Sequence, residues 1–346
     1  MNASGMKATV FFSKDAALFA ALLCVTLALF MSSLTAGRFH VPLRETARIM
    51  ASRLVPMEKT WTPQMENVIV NIRLPRLLGA CLVGGSLALS GAAYQGVFKN
   101  PLVSPDILGV SSGACVGASA AILMHWGAFA VQLSALSMGL LAVAAAAAIP
   151  GFFKNGTAPM LVLSGVIVSG FMTSLQGLLK YFADPLDELP SIVFWAMGSL
   201  GAIKSAEIKA IGPAMAAVMA GLIMIRWRIN ILALGDNEAR SLGVDVKKMR
   251  GAIVVCATLL TAGAVCISGT IGWIGLVIPH LGRIVAGHDN KRLIPASILL
   301  GASFTIVVDT FARNLTGSEI PLSILTGMIG TPLFIWLLFV QKTRLQ

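Results

Sequence analysis

The feature that most constrains this chain is an uncharged stretch enclosed by two cationic boundaries. Arg76 and Lys99 flank residues 77–98, which contain no charged side chain. As an α-helix rising 1.5 Å per residue, this stretch would be about 33 Å long, close to the roughly 30 Å hydrocarbon core of a bilayer. Its many glycines and serines are small enough to let neighbouring helix backbones approach closely. The stretch therefore predicts a transmembrane helix that other helices pack around.

Composition extends this interpretation to the whole chain. The 346 residues are 56% hydrophobic and only 12% charged, whereas soluble domains carry about a quarter of their residues as charges. Long apolar runs recur at 16–37, 77–98, twice within 107–153, and at 155–179, 210–225, 251–268, 270–286, 293–311 and 320–340, with Arg283 and Asp309 the only Asp, Glu, Lys or Arg residues within them. We therefore expect an all-α, polytopic membrane protein of about ten transmembrane helices, organised as one domain over residues 1–346.

Three polar segments separate these runs. Residues 38–71 predict a connector with one or two helices outside the membrane, and residues 226–250 form the most polar internal loop. In residues 181–209 an acidic turn precedes an apolar stretch only half a membrane thick, so we expect a short helix lying in a vestibule. More lysines and arginines fall on the side of the termini than on the other side, which predicts cytoplasmic termini and an external connector.

Ordered motifs run through the chain. They are Arg73-Leu74-Pro75-Arg76, Asn100-Pro101-Leu102, Leu108-Gly109-Val110-Ser111-Ser112-Gly113 and Ile278-Pro279-His280-Leu281-Gly282-Arg283. With these motifs the sequence resembles the FecCD/BtuC-like permease family, the membrane subunits of type II ATP-binding-cassette (ABC) importers for iron-siderophores, haem or cobalamin. The resemblance implies a permease of the bacterial inner membrane that pairs with itself or with a homologous permease. It also implies two kinds of soluble partner, a periplasmic substrate-binding protein and cytoplasmic ABC ATPase subunits.

The resemblance assigns roles to charged and polar residues at the ends of the predicted helices. Arg73, Arg76 and Arg313 match docking arginines for an acidic binding protein, and we expect them to be exposed because an exposed guanidinium pairs well with carboxylates. The alternative is ordinary anchoring at helix ends. The cationic connector has two explanations, either this docking role or simple tolerance of charge in a long translocated loop. Asn100, Pro101 and Leu102 match an inner gate.

Two glycines bracket a short predicted helix in the 226–250 loop. Gly235 and Gly243 enclose it, with Asp236 at its N-terminus and with Ala239 and Leu242 on one face. A helix this short must rest on something. In the family this loop is the coupling helix that contacts the ATPase, and the alternative is an exposed connector without a partner. The coupling residues implied are Leu234, Gly235, Asp236, Glu238, Ala239, Leu242 and Gly243.

Four residues of the fifth predicted span share one helical face. Ser169, Met172, Thr173 and Gln176 would line the translocation path on that face. A polar seam that packs against a neighbouring helix is the other interpretation. The sequence does not select the cargo; iron-siderophore is the commonest one in the family, and haem and cobalamin stay open.

Several function classes are disfavoured by what the chain contains. Acidic residues lie at span ends or in loops, with Asp309 the nearest to an exception, so an ion-coupled secondary transporter is the less favoured alternative. We expect no catalysed reaction, no cofactor and no nucleic-acid partner, and the absence of a GxxxxGK[ST] motif assigns ATP hydrolysis to a partner. We expect no metal site, because His280 has no second ligand at helical spacing and is predicted to be a hydrogen-bonded packing residue.

Overall fold

In the computed structural model, the backbone is described for residues 3–53, 55–152 and 158–345, and the side chains for residues 14–53, 55–152 and 159–340. The described residues form fourteen α-helices and contain no β-strand, which confirms the all-α prediction. The helices are α1 (Ala3–Thr35), α2 (Leu43–Ala51), α3 (Pro63–Asn67), α4 (Leu74–Phe98), α5 (Val110–Leu123), α6 (Ala128–Ala148), α7 (Ala158–Phe182), α8 (Glu188–Met197), α9 (Ser205–Leu234), α10 (Asp236–Ser241), α11 (Val246–Ser268), α12 (Ile274–Ala286), α13 (Asn290–Asn314) and α14 (Leu322–Leu345).

Eight helices in the described part of the chain are long and apolar enough to cross a membrane. They are α1, α4, α6, α7, α9, α11, α13 and α14. Each of the ten or so predicted runs contains a helix, and eight of these helices meet this length. The two exceptions are α5 with 14 residues and α12 with 13 residues, about 20 Å each at the usual helical rise. An uncharged run sets the apolar length, but it does not require every residue in the run to be helical.

Helix α4 lies at the centre of the bundle, as its small residues predict. Most of its residues are buried, and it packs against α1, α9, α11, α12 and α13. Two of its glycines permit backbone contact. A Cβ on Gly84 would overlap the carbonyl oxygen of Gly301 in α13, and a Cβ on Gly91 would overlap that of Gly275 in α12. These contacts bring α4 closer to both neighbours than larger residues would allow.

The connector and the 181–209 segment contain the short helices that were predicted. Helices α2 and α3 lie in the connector, and α8 is the short helix after α7. The helical path into α4 begins within the predicted connector, at Pro63, and continues through a π-helical turn at Val68–Arg73. Thr62 starts it by accepting a hydrogen bond from the Met65 amide at 3.3 Å, with proline at the first helical position.

The break between α11 and α12 is braced by the loop that follows α8. The Ser199 amide donates to the Ser268 carbonyl at 2.8 Å, and the Thr270 hydroxyl donates to the Ala196 carbonyl at 2.5 Å. The Leu322 amide at the start of α14 donates to the Gly198 carbonyl at 3.0 Å. Irregular backbone at membrane depth needs such partners, because lipid offers none.

Candidate functional site

Helix α4 links two polar centres at opposite ends of the bundle. Arg76 lies near its start and Lys99 follows its end, about 34 Å apart at the helical rise. We call the group at the first end the arginine cluster; it consists of Arg73, Arg76, Asp309, Arg313 and Glu319. We call residues 99–104, which join α4 to the 3₁₀ turn at Pro105–Leu108, the elbow.

Arg76 is the centre of the arginine cluster. Its Nε donates to both carboxylate oxygens of Asp309, at 2.8 and 3.1 Å. Its two terminal nitrogens donate to the two oxygens of Glu319, at 2.6 and 3.0 Å. The Arg313 Nε lies 3.2 Å from Asp309 Oδ2, so the pairing of Asp309 with Arg313 that the spacing of four residues suggests is present. One fully buried carboxylate thus joins two guanidinium groups from different helices.

The other two arginines tie this cluster to the end of α1. Arg73 donates to the carbonyl oxygens of Leu34 at 2.6 Å, of Thr35 at 3.1 Å and of Phe39 at 2.6 Å. Arg313 Nη2 donates to the Ser33 hydroxyl at 2.6 Å. Carbonyl groups left open where α1 ends are satisfied in this way.

The expectation that the three arginines are exposed is wrong. Arg73, Arg76 and Arg313 are 4%, 6% and 9% exposed. Sequence spacing revealed one partner, Asp309 for Arg313. The carbonyls that hold Arg73 and the acids that hold Arg76 lie far away in sequence, so spacing did not reveal them. Within the cluster, Glu319 reaches the surface, with 44% of its side chain exposed. The exposed cations nearby in sequence are connector residues such as Arg38 and Arg44.

The elbow at the other end of α4 is shaped by local bonds and by one bond to α12. Lys99 has a left-handed backbone, with φ of 51°, which ends the helix. The Asn100 side chain accepts a hydrogen bond from the Leu102 amide at 2.9 Å, and the Leu102 side chain is 58% exposed. His280 Nε2 lies 2.8 Å from the Pro101 carbonyl oxygen, which confirms that His280 is a hydrogen-bonded packing residue.

The short helix predicted in the 226–250 loop is α10, and the two glycines bracket it as expected. Gly235 and Gly243 have φ of 150° and 79°, a region that favours glycine. Arg250 Nη2 donates to Asp236 Oδ1 at 2.7 Å, which fastens α10 to α11. This hydrogen bond holds the pKa of Asp236 below its usual range, and the charge of Lys99 acts in the same direction. The elbow and α10 therefore lie at the same end of the bundle.

Two residues predicted on one face of α10 differ in exposure. Ala239 is fully buried, because its small side chain lets α10 rest on the rest of the chain. Leu242, which was predicted on the same helical face, is instead exposed. Leu242 is 60% exposed and Leu234, just before the helix, is 64% exposed. Glu238 is also exposed. The end of the bundle thus presents two leucines beside charged residues.

The four residues predicted to line a path do not share an open face. Met172 is buried in a cluster with residues of α5 and α6. Ser169 lies against Gly109, and the Gln176 side chain interacts with Cys115 of α5. Thr173 is the exposed one of the four. These contacts favour the alternative of a helix-packing seam for Ser169, Met172 and Gln176, because α5 and α6 occupy that side of α7.

Sequence reasoning missed a polar bridge beside α10. Asn230 of α9 donates to Asp289 at 2.6 Å and accepts from the Asn290 amide at 2.9 Å. Asp289 also caps α13 by accepting from the Lys291 amide at 2.9 Å. An aspartate directly before a helical run is a capping signal that could have revealed the second contact. The bridge ties the helix before α10 to the start of α13.

Comparison with known proteins identifies the family. The sequence model of the FecCD transport family matches residues 25–340. The chain belongs to the FecCD transport family. It is an ABC importer permease of that family and a multi-pass membrane protein. Relatives in this family are named for iron chelates, hemin, cobalamin and molybdate.

Each similar protein matches this FecCD-family permease over most of both chains. The molybdate import system permease protein MolB of Haemophilus influenzae is 38% identical over 310 residues, covering 90% of this chain and 91% of MolB. A probable iron chelatin transport system permease protein of Helicobacter pylori is 41% identical over 288 residues, covering 80% and 83%. A solved structure described as an inward-facing conformation of a putative metal-chelate type ABC transporter is 36% identical, covers 94% and 99%, and gives a TM-score of 0.84.

Proposed function

We propose that this FecCD-family permease moves an iron-siderophore-type chelate across the bacterial inner membrane as a homodimer, driven by a separate ATPase and fed by a periplasmic binding protein. The metal-chelate title of the similar solved structure and the iron chelatin name of the Helicobacter pylori relative support this cargo. Haem and cobalamin are alternatives within the family. Molybdate is a further alternative, because MolB has comparable identity to this chain.

The observation that carries the proposal is the seating of α10 beside the elbow. Arg250 fixes α10 by its ion pair with Asp236, while Leu234 and Leu242 are exposed at the same end. An exposed apolar pair on a fixed short helix suits a groove on a partner protein. We assign α10 as the contact with the ATPase and Asn100, Pro101 and Leu102 as the inner gate. On this assignment the elbow and both termini are cytoplasmic.

The arginine cluster then lies at the periplasmic end. Because Arg73, Arg76 and Arg313 are buried, we propose that they hold the rim in shape for the binding protein. Exposed connector cations, Arg38 and Arg44, are the better direct partners for its carboxylates.

A matched pair of variants separates direct docking by the connector from support of the rim by the arginine cluster. Arg44→Glu should weaken docking most at low salt, where exposed charges are least screened, and Arg73→Lys should not change its salt dependence.

The translocation path is proposed to run between two copies of the chain. Of the four predicted path residues, Thr173 retains this assignment because it is exposed on α7. Ser174 and Gly177 are also exposed on α7, close to Thr173 in sequence. Ser169, Met172 and Gln176 are assigned to packing.

Uptake by reconstituted vesicles tests the proposal. The chain is reconstituted with its ATPase and loaded binding protein, all ion gradients are collapsed with ionophores, and ATP is supplied on the ATPase side. Uptake that continues under these conditions supports the importer, whereas uptake that follows a gradient without nucleotide supports an ion-coupled carrier. Asp309→Asn should slow uptake without abolishing it, because Asp309 is paired with arginines and is not an ion site.

A second measurement decides the cargo. Radiolabelled ferric siderophore, hemin, cobalamin and molybdate are supplied in turn, each with its own binding protein. Saturable ATP-dependent uptake of the ferric siderophore alone is the expected result. Uptake of molybdate but not of the iron chelate would replace the proposed cargo while leaving the transport mechanism intact.

A further inference from the structure

We infer that His280 is a positioning residue that sets the resting position of the elbow. The inference rests on the proposed function insofar as the elbow is taken as the inner gate. His280 lies on α12, and its side chain is 1% exposed. Its Nε2 is 2.8 Å from the Pro101 carbonyl oxygen. A carbonyl oxygen can only accept a hydrogen bond, so Nε2 carries the proton and donates.

This bond joins residues much farther apart in sequence than do the other bonds made by the described residues of the elbow. The bond from the Leu102 amide to Asn100 and the bond from the Val103 amide to the Asn100 carbonyl join residues two or three apart. Such bonds fix the shape of the turn but not its position relative to another helix. The His280 bond crosses 179 positions of sequence and fixes that position.

Helix α12 is a firm support for this bond. The Gln95 side chain of α4 donates to the carbonyl oxygens of Gly275 and Leu276, at 3.4 Å each. Gly91 and Gly275 meet backbone to backbone. Helix α4, which enters the elbow, and helix α12, which carries His280, are therefore fixed to each other. The His280 bond fixes the elbow relative to this pair of helices.

The ring of His280 also contacts a third element. It lies edge-on to Phe334 of α14, with ring centroids 5.3 Å apart and planes at 79°. An edge-to-face aromatic contact has a preferred geometry. A shift of α14 along its axis would therefore move the imidazole, and the hydrogen bond would carry that movement to Pro101. His280 is placed to pass the position of α14 to the exposed gate residue Leu102.

The experiment measures the accessibility of the elbow. Leu102→Cys is introduced into the full chain with the exposed Cys24 replaced by serine, and the protein is reconstituted in nanodiscs with its ATPase. The rate of modification by a charged maleimide is measured without nucleotide. Two variants that lack a donor, His280→Phe and His280→Met, should raise this rate roughly fivefold, the effect of losing one hydrogen bond. His280→Gln keeps an N–H donor and should stay within about twofold of wild type.

Two features of the design exclude a general loss of structure. A second reporter, Lys247→Cys in the first turn of α11, should react at the same rate in all His280 variants. His280→Phe keeps an aromatic ring against Phe334. His280→Met serves in its place if the His280→Phe protein does not fold. Equal elbow modification rates in the donor and non-donor variants would overturn the inference, whether both rates rise or neither changes.

The outcome is separable from the proposed transport function, because maleimide modification does not require uptake. If His280→Gln keeps the wild-type modification rate while His280→Phe and His280→Met raise it, the role of His280 in placing the elbow stands. If uptake also needs no ATP, only the importer proposal fails. If uptake is driven by ATP and the donor makes no difference to the rate, the role of His280 fails and the importer proposal stands.

Discussion

Two carboxylates hold Arg76, and they differ in their exposure to water. Asp309 is fully buried, whereas 44% of the Glu319 side chain is exposed. A buried ion pair contributes little net stability relative to an apolar replacement, but removing one partner leaves an uncompensated charge that is expensive to bury. The arginine cluster is thus more sensitive to losing a single member than an exposed pair would be.

Arg76→Met should destabilise the chain by about 3–5 kcal/mol, because Asp309 loses its closest cation while staying buried. Thermal unfolding in detergent measures the change. Arg53→Met is the matched control, since Arg53 also pairs with a carboxylate, Glu66, but is half exposed; its midpoint should stay close to that of wild type. Equal midpoint shifts for the two variants would show that burial does not set the cost at Arg76.

At the scale of elements, contacts between small residues set the distance from α4 to its neighbours, and one ion pair sets the place of α10. The close approach of α4 to α12 depends on Gly91, where a Cβ would overlap the Gly275 carbonyl oxygen. The place of α10 depends on the bond from Arg250 to Asp236. Both devices are local, so each can be tested by a single substitution.

Gly91→Ala should destabilise the bundle by about 1–3 kcal/mol, because the added methyl group forces two helix backbones apart. Gly221→Ala in α9 is the control, since an added Cβ there meets no atom within 4 Å. That substitution should be neutral or stabilising by up to about 1 kcal/mol, since alanine lowers the entropy of the unfolded chain. The unfolding midpoints of the two variants decide the question, and similar losses would argue against backbone contact at Gly91.

Leu242→Asp should abolish co-purification of the ATPase, because a charge would enter the apolar contact proposed for α10. Ser241→Asp adds the same charge one residue earlier, at an exposed polar position, and should retain most of the ATPase. Pull-down of the ATPase with the tagged permease provides the measurement. Retention by both variants would remove α10 from the interface.

At the scale of the whole molecule, α4 separates an end rich in buried arginine from an end that presents exposed leucines. The arginine cluster closes the first end by joining α1, α4 and α13. The elbow, α10 and the Asn230 bridge gather at the second end. Such polarity is what a permease with different soluble partners on its two sides requires.

The two ends should be reachable from opposite sides of the membrane. Lys59→Cys in the connector should react with a charged maleimide in right-side-out vesicles, and Lys247→Cys should react only in inverted vesicles. Both positions are exposed, and Cys24 is replaced by serine in both. Reaction of both cysteines from one side would contradict the proposed topology.

How much the sequence could predict depended on how local each signal is. Gly235 and Gly243 predicted α10 because a glycine on each side of a short segment is a local pattern. The burial of Arg76 was not predictable, since its partners Asp309 and Glu319 lie 233 and 243 positions away. The face of α7 that meets α5 could not be chosen, because polar and small residues suit both a path and a packing seam. The short length of α12 was hidden by the apolar residues before it.

The short length of α12 also determines where the backbone leaves regular helix inside the membrane region. Helix α12 covers about 20 Å of a core roughly 30 Å thick, and residues 269–273 cross the rest without regular helical bonding. Amides of residues 271–273 therefore depend on neighbouring protein or on water. Deuterium should exchange into these amides in a bilayer sooner than into α11 at the same depth, which would make this segment a wetted seam inside an otherwise dry barrier.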